Sequence, residues 1–301
     1  MTRRFLLIPR LQIHNANAMS SPYTIGFPAM TAWLGGIHAL QRYLHQHGLT
    51  DAELISVAVS CHRFDLQTYK GQGDFVHSIV GTANPLDKDG SRPAFVEEAR
   101  CHLEVSLLVE LQGYDTDEQE RFEALVNQQL RRMKWAGGDV LGVADVKTYT
   151  VDEDDEQSVR KLLNRLMLGY VLIERRELLV QAMRDEGQDA LDALLGYLKV
   201  MHRSGQDVEN GKVTWSSQRK APGWLVPIAV GFQGISELGQ AANQRDSQTP
   251  HRFAESVVTL GEFKMPYRIS NLDDVLWQCR VDTERNLYLC QTLSTSELIG
   301  D

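Results

Sequence analysis

Two Cys-His pairs are the residues of this sequence that most resemble metal ligands. Cys61 precedes His62, and Cys101 precedes His102. Each pair lies in a segment that we predict as a β-strand, where neighbouring side chains point to opposite faces. One pair therefore cannot present both groups to one metal without a bulge, and no further ligands follow at the spacing of a zinc site. We predict core cysteines and surface histidines, with no metal and no cofactor.

Histidine side chains are also candidates for general acid–base cleavage of RNA. The residues in question are His14, His38, His62 and His102. A packed or surface position is the simpler explanation of a histidine on a helix, as for His38. The sequence has no P-loop, zincin, nucleophile-elbow or CxxC motif. We therefore expect no catalytic residue.

A polar segment ahead of a predicted helix is the stronger candidate for binding. It offers short hydrogen-bonding side chains at Asn15, Asn17, Ser20 and Ser21. We predict it as a loop, and the N-terminus of the helix behind it adds free backbone N–H groups that favour an anion such as phosphate. An ordinary capping loop explains the same residues equally well.

Arginines form a second set of candidates, because the guanidinium fork binds phosphates and base edges. Arg10 lies in the first predicted strand. Arg63 and Arg100 flank the base of a glycine-rich lobe at residues 65–98, and Arg92 lies within that lobe. A solvated loop with scattered charge is the alternative interpretation of the lobe.

Hydrophobic periodicity predicts the elements that hold these residues. Alternation of apolar and polar residues predicts strands at residues 5–13, 54–64, 100–111 and 140–143. Helical spacing of apolar residues predicts helices at residues 28–47 and 115–135. With the lobe as an insertion, the order is β-α-β-β-α-β. This is the ferredoxin-like order that RNA-recognition folds share.

The predicted fold class is therefore α+β. It consists of a ferredoxin-like (RNA-recognition-type) domain with an inserted β-hairpin lobe and a mixed α/β C-terminal extension. We place the RNA-binding domain at residues 1–150, with the lobe at about 65–98. Residues 151–212 form a predicted helical acidic segment, and residues 213–301 form strands and turns that complete the domain.

The distribution of charge supports a local anion-binding face. The formal net charge is −9, yet residues 1–50 hold four arginines and no carboxylate. A small basic face can bind phosphate while the whole protein stays acidic. Chance clustering is the alternative.

Apolar runs and cysteine content indicate where in the cell the protein is located. No apolar run approaches the roughly 20 residues of a membrane helix. The apolar run FLLI near the N-terminus is too short for the core of a signal peptide. The four cysteines are few for 301 residues and fit reduced thiols. We predict a cytoplasmic protein.

The sequence resembles a known family in blocks that extend over nearly the whole chain. The blocks are LIPRLQIHNANAMSSPYTIGFP, GIHALQR, CHRF, NPLDKDGS, VEEARCHLEVSLL, PGWLVPIAVGF, TPHRFAESVVTLGEF and LDDVLW. In these blocks the chain is similar to the second subunit of the Csy complex, the Cas-five-type subunit of the subtype I-F CRISPR Cascade. The segment around residues 145–215 lies outside the resemblance.

The resemblance implies a non-catalytic subunit that binds RNA in antiviral defence. Such a subunit caps the 5′ handle of the CRISPR RNA, pairs with the large subunit and contacts the first backbone subunit. Position and chemistry within the matching blocks select the RNA-binding candidates, which are Arg10, Asn15, Asn17, Ser20, Ser21, Arg63, Arg92 and Arg100. Trp224 and Arg252 also lie in matching blocks, where we expect core packing or subunit contact.

Two other functions stay open at this point. Some Cas-five-type relatives cut precursor RNA, so the chain is alternatively a metal-independent CRISPR RNA processing ribonuclease that uses His14, His62 or Tyr69. The second alternative is a protein-interaction scaffold without RNA contact.

Overall fold

The computed structural model describes residues 2–81, 86, 88–91, 98–113, 116–206, 213–242, 244, 246 and 248–294. Over these residues the chain is a mixed α+β protein, as predicted, with a few helices around a large antiparallel sheet. The largest sheet of the described residues has eleven strands.

The N-terminal half contains these elements in chain order: β1 (Thr2–Asn17), β2 (Met19–Ser21), β3 (Thr24–Ile25), α1 (Met30–Gln46), β4 (Glu53–Leu66), β5 (Thr68–Tyr69), β6 (Ser78–Ile79), β7 (Arg100–Gln112), α2 (Gln119–Leu130), β8 (Lys134–Trp135), β9 (Gly138–Gly142) and β10 (Lys147–Asp152). The C-terminal half contains α3 (Glu156–Asn164), β11 (Tyr170–Glu174), α4 (Arg176–Glu186), α5 (Ala190–Leu198), β12 (Met201–Gln206), β13 (Val213–Gln218), β14 (Trp224–Gly234), β15 (Ala254–Lys264), β16 (Trp277–Asp282) and β17 (Leu287–Thr292).

Strand β1 is central, with β7 on one edge and both β10 and β9 on the other. Its side chains in the main core are those of Leu6, Ile8, Leu11, Ile13 and Ala16. Their spacing of two, three, two and three residues arises because two β-bulges each insert one residue and keep the same face toward the core. Arg10 and Asn15 lie in these bulges with φ of 53° and 60°.

The strands β10, β1, β7 and β4 lie side by side in that order, and each neighbouring pair is antiparallel. Helices α1 and α2 pack into the same core, α1 through Trp33 and Ile37 and α2 through Phe122 and Val126. With the short strands β2, β3, β5, β6 and β8 set aside, the chain order β1-α1-β4-β7-α2-β9 has the predicted alternation of strands and helices, and β10 is an additional strand that was not predicted. The strand predicted near residues 140–143 is β9, which pairs with β1 beside β10.

The C-terminal strands join the N-terminal sheet through the second edge of β4. Val57 of β4 pairs with Trp277 of β16, and Ser60 of β4 pairs with Val171 of β11. Because β11, β15, β14, β17 and β16 are consecutive neighbours, these two pairings close a ring of six strands that includes β4. The buried Trp277 indole donates to the carbonyl of Leu172 at 2.9 Å, so its polar atom is satisfied inside the ring.

Three predicted elements differ from the structure. The helix predicted at residues 115–135 ends at Leu130, and Lys134–Trp135 form β8, which turns into β9 at Gly137 (φ 76°). The polar segment predicted as a loop is partly strand, because β1 extends to Asn17. The segment predicted as helical at residues 151–212 contains the buried strand β11 between α3 and α4, and the strand β12, which pairs with β13. A short buried strand has too few residues to establish a period against the helices around it.

The predicted lobe contains a short hairpin in which β5 pairs with β6. Residues 82–85, 87 and 92–97 of the lobe lie outside the described residues. In the described part of the chain, every helix is too short or too polar to cross a membrane.

Candidate nucleic-acid interface

A groove of about 630 Å³ opens beside the N-terminal half of α1. We call it the α1 groove. The residues that line it come from β1, the β2 hairpin, α1, the start of β7 and the β8–β9 turn: Asn17, Ser20, Pro28, Ala29, Thr31, Ala32, Gly35, Gly36, Ala39, Glu98, Arg100, Lys134, Ala136 and Gly137.

The N-terminus of α1 is suited to an anion. Among the described residues, no side chain caps it: the N-cap residue is Ala29, which has no hydrogen-bonding side chain. The first turn also contains no acidic residue. The first N–H groups of a helix lack intrahelical acceptors, and the helix dipole places partial positive charge at this end. Thr31 adds a hydroxyl group in the same turn.

Small residues form the floor of the groove along α1. Gly35 is exposed, and a Cβ atom built there would have no neighbour within 4 Å. Gly36 is different, because a Cβ atom there would lie 2.4 Å from the ring of the buried Trp135. Gly36 therefore allows β8 to pack on the helix, whereas Gly35 leaves the helix backbone open to a ligand.

Two cations, Arg100 and Lys134, line the groove. Arg100 donates to Glu98 at 2.6 Å, and Lys134 donates to Asp139 at 2.6 Å. The Lys134 ammonium, through its hydrogen bond, lowers the pKa of Asp139 below its usual value. The Lys134–Asp139 pair is exposed on both sides, whereas the Arg100 side chain is only 21% exposed beside the exposed Glu98. Exposed ion pairs contribute little net free energy, so a phosphate can replace Asp139 at Lys134 at small cost.

Asn17, Ser20 and Arg100 are the predicted residues that the structure brings together in the α1 groove. The side chain of Asn17 accepts from the Met19 N–H at 2.9 Å, which fixes the link into β2. The hydroxyl of Ser20 lies 2.9 Å from that of Thr24. Ser21 is buried, and its hydroxyl contacts Thr24 at 2.7 Å, so it stabilises the β2–β3 hairpin.

A second, smaller groove of about 270 Å³ follows β1 and β7 away from the first. His14 and His102 stack there with ring centroids 4.3 Å apart. The backbone N–H of Asn15 donates to Nδ1 of His102 at 3.1 Å, and the Asn15 side chain accepts from Gln67 at 3.0 Å. Asn15 therefore holds His102 and the base of the lobe together, rather than presenting a free amide.

Arg63 lines this second groove, and Arg10 reaches Glu104 in its lining. Arg10 is exposed and donates to Glu104 at 2.8 Å, while Arg63 is 72% exposed and lies 3.5 Å from Asp65. Burial and the neighbouring Arg10 lower the pKa of His62 to about 4, so that His62 is neutral at pH 7. The predicted binding residues thus divide into two groups, and Arg92 lies outside the described residues.

Arg3, at the other end of β1, is enclosed by acidic groups. Its guanidinium donates two hydrogen bonds of 2.9 Å to Glu110, and further bonds to Glu153 at 2.5 Å and Asp273 at 2.8 Å. We call these four residues the Arg3 cluster. Burial opposes the charge, but the carboxylate partners raise the pKa of Arg3 above its ordinary value. Ser56 completes the cluster by donating to Glu110 at 2.8 Å.

Sequence reasoning missed Lys134 and Thr31. Lys134 was hidden because its segment was predicted as the last turn of a helix, whereas it belongs to β8. The glycine pair at 137–138 was the available signal for a hairpin, because Gly137 lies in the β8–β9 turn and Gly138 begins β9. Of the two other residues singled out, Trp224 is half-exposed and packs on Tyr170 and Phe263, and Arg252 donates to Asn286.

The residues considered for metal binding and catalysis lie in separate settings. In the described ranges, no group of three or more His, Cys, Asp or Glu side chains is placed to hold a metal ion. His62 contacts Ser106 at 2.7 Å, His14 stacks on His102, and Tyr69 is exposed on the lobe hairpin.

Comparison with known proteins agrees with the resemblance in the sequence. Residues 6–290 match the family model described as CRISPR-associated protein (Cas_Csy2). The chain is also 38% identical over 313 residues to CRISPR-associated protein Csy2 of Pseudomonas aeruginosa (strain UCBPP-PA14), a match that covers 95% of this chain and 94% of that protein. The chain therefore belongs to the Csy2 family, whose members are subunits of the subtype I-F CRISPR Csy complex of antiviral defence.

Proposed function

We propose that the chain is a non-catalytic subunit that caps the 5′ handle of the CRISPR RNA by binding its phosphates in the α1 groove. The observation that carries this proposal is the uncapped N-terminus of α1, which opens onto a groove bordered by Arg100 and Lys134.

Three properties of the groove match a single-stranded RNA backbone. The N–H groups of the first turn of α1 can donate hydrogen bonds to a phosphate oxygen, and that turn contains no acidic residue. Arg100 offers a fork of donors and Lys134 a compact charge. The exposed Gly35 allows the ribose-phosphate chain to approach the helix closely.

The second groove extends the proposed RNA face. Arg63 is exposed there in the same groove as the stacked rings of His14 and His102, and the exposed Arg10 pairs with Glu104 of the same groove. Cations and flat rings side by side suit phosphates and unstacked bases, respectively. The Arg3 cluster has no part in this face, because its guanidinium is enclosed by three carboxylates.

The remaining parts of the proposal concern fold and partners. The strand order β10-β1-β7-β4, with α1 and α2 against one core, supports a ferredoxin-like domain over residues 1–150. Residues 151–212 and 213–301 are then the extension that closes the six-strand ring. Pairing with the large subunit is supported by half-exposed aromatic side chains such as Phe64 and Trp224. Contact with the first backbone subunit is part of the same proposal and rests on family membership alone.

The test is binding of handle RNA by the chain co-expressed with its large-subunit partner. The variant Arg100→Ala/Lys134→Ala is compared with wild type and with Arg160→Ala, which removes an exposed arginine of α3 outside the groove. Loss of two charged phosphate contacts weakens binding roughly tenfold or more. A second variant, Arg10→Ala/Arg63→Ala, tests the extended face.

Recovered RNA is sized in every sample. Unchanged affinity of the Arg100→Ala/Lys134→Ala variant contradicts the α1 groove as the site. Cleaved RNA in the wild type, with loss of cleavage in His14→Ala, His62→Ala or Tyr69→Phe, supports the ribonuclease alternative. Affinity that survives both double variants supports a scaffold whose partner carries the RNA.

A further inference from the structure

Cys279 and Cys290 face each other across the β16–β17 hairpin. They are direct partners in the antiparallel register, and their sulfur atoms lie 3.9 Å apart, with both thiols free. Directly opposed residues of an antiparallel pair have Cα separations within the range that a disulfide requires. The two sulfur atoms therefore need only a small side-chain rotation to reach bonding distance.

The surroundings give the two thiols different roles. Cys279 is partly exposed, whereas Cys290 is fully buried. The sulfur of Cys279 lies between the Cys290 thiol and the Tyr288 hydroxyl, which is 2.7 Å away. Hydrogen bonds from Cys290 and Tyr288 lower the pKa of Cys279 to about 7 against the opposing effect of burial. The hydrogen bond with Cys279 raises the pKa of Cys290, and burial and Glu174 add to this effect. Burial, together with Cys279, raises the pKa of Tyr288. Both groups therefore stay protonated and act as donors.

The other two cysteines lack this arrangement. Cys61 pairs with Val105 and Cys101 pairs with Leu66, so neither opposes a cysteine in the register of β4 and β7. Burial is the main cause that raises the pKa of each to about 12. They are inert at neutral pH and serve as internal controls.

We propose that Cys279 and Cys290 form a thiol pair that a peroxide oxidises to a disulfide. The Cys279 thiolate attacks one oxygen of hydrogen peroxide, the O–O bond breaks, and the hydroxide that leaves takes a proton to become water. Cys279 is then a sulfenic acid. The Cys290 sulfur attacks the Cys279 sulfur, the S–O bond breaks, and the hydroxyl leaves as water with the Cys290 proton. Two thiols are oxidised and one peroxide is reduced to two waters.

The disulfide would bridge two strands of the six-strand ring. On one side β16 pairs with β4 through Trp277 and Val57, and on the other β17 pairs with β14 through Leu289 and Gly231. A covalent link here restricts the unfolded chain and holds the two strands in register. Oxidation therefore raises the melting temperature of the full chain, and a thiol reductant reverses the change.

The experiment exposes the purified full chain to a small excess of hydrogen peroxide, blocks free thiols by alkylation and digests with trypsin without reduction. Cleavage after Arg268, Arg280 and Arg285 places Cys279 and Cys290 in separate peptides, 269–280 and 286–301. The expected result is a linked pair of these peptides that is two hydrogens lighter than their sum. Cys279→Ser and Cys290→Ser each abolish it, and Cys61→Ser leaves it unchanged.

Two further measurements test the separate roles of Cys279 and Cys290. In Cys290→Ser, the sulfenic acid on Cys279 is trapped by a 1,3-dione reagent, and far-UV circular dichroism verifies that the variant is folded. In untreated wild type, Cys279 is alkylated faster than Cys61 at pH 7. The proposal is overturned if folded wild-type chain yields no linked peptides, or if Cys61 and Cys101 are oxidised as fast as Cys279.

Discussion

The two ends of β1 use arginine in opposite ways. At the start of the strand, Arg3 is enclosed by three carboxylates and is 13% exposed at its side chain. At the far end, Arg100 (21% exposed) and Lys134 (66% exposed) line the α1 groove, and each is paired with an exposed carboxylate. The carboxylates around Arg3 hold it within the fold, whereas the partners of Arg100 and Lys134 lie at the surface, where a phosphate can compete with them.

This difference changes the meaning of the basic N-terminal segment. Residues 1–50 carry four arginines and no acid, which alone suggests one continuous basic face. Carboxylates from distant parts of the chain, such as Glu110 and Asp273, neutralise Arg3. Of these four arginines, Arg10 in the middle of β1 and Arg42 on α1 are the exposed ones.

Replacing Arg3 with Ala gives the largest expected effect and tests the enclosed end. Removing one member of a buried ion-paired group leaves Glu110 without its partner, so the free energy of unfolding falls by about 3–5 kcal/mol. Urea unfolding of the full chain measures the loss. Arg3→Lys keeps the positive charge but loses the bidentate contact with Glu110, so its free energy of unfolding lies between those of the wild type and Arg3→Ala. Unchanged stability in Arg3→Ala would erase the distinction between the two ends.

Replacing Gly36 with Ala tests whether the floor of the groove is packed or open. The new methyl group collides with the ring of Trp135, and overpacking of this kind costs about 1–3 kcal/mol. Gly35→Ala is the matched control. It meets open space and stabilises the helix by about 0.5–1 kcal/mol. Thermal unfolding of both variants measures the difference, and equal shifts would contradict the packing described here.

Replacing Arg100 or Lys134 singly with Ala tests the open end. Each loss of a phosphate contact reduces the slope of log affinity against log salt by about 0.7 for single-stranded RNA. Binding titrations across a salt series measure the slope, and Arg160→Ala serves as the control for general loss of charge. A parallel shift of affinity with an unchanged slope would mean that these side chains do not touch phosphate.

Replacing Glu98 with Gln gives the smallest expected effect and tests whether Glu98 competes with RNA for Arg100. The change removes the carboxylate that competes with RNA for Arg100, so affinity for handle RNA rises about two- to fivefold. Glu156→Gln removes an exposed carboxylate paired with Arg160 and leaves affinity unchanged. Weaker binding in Glu98→Gln would indicate that Glu98 orients Arg100 instead of competing for it.

Much of the N-terminal fold could be predicted because its elements are long and periodic. Strands β1, β4 and β7 and helix α1 each contain enough residues to establish a period of two or of 3.6. The end of α2 could not be predicted, because the two residues of β8 have no period of their own. Strand β11 was missed because a five-residue strand between helices acquires its β structure from pairing with β15 and β4.

The candidate site was predicted in part. Asn17, Ser20 and Arg100 do meet in the α1 groove, since the sequence places them beside the start of a helix or at a strand end. Asn15 lies in a bulge with positive φ, where its backbone contacts His102 instead. Lys134 entered the site only because β8 folds back against Gly36 of α1.

The sequence by itself determined the local features of this protein: an acid-free N-terminal segment, the alternation of strands and helices, and a polar segment ahead of α1. These depend on residues close together in the chain. Only the tertiary structure decided which cations are enclosed and which are open, and which cysteines face each other. Arg3 and Asp273 are 270 residues apart in sequence, and such contacts arise from strand pairing and packing, which no local pattern encodes.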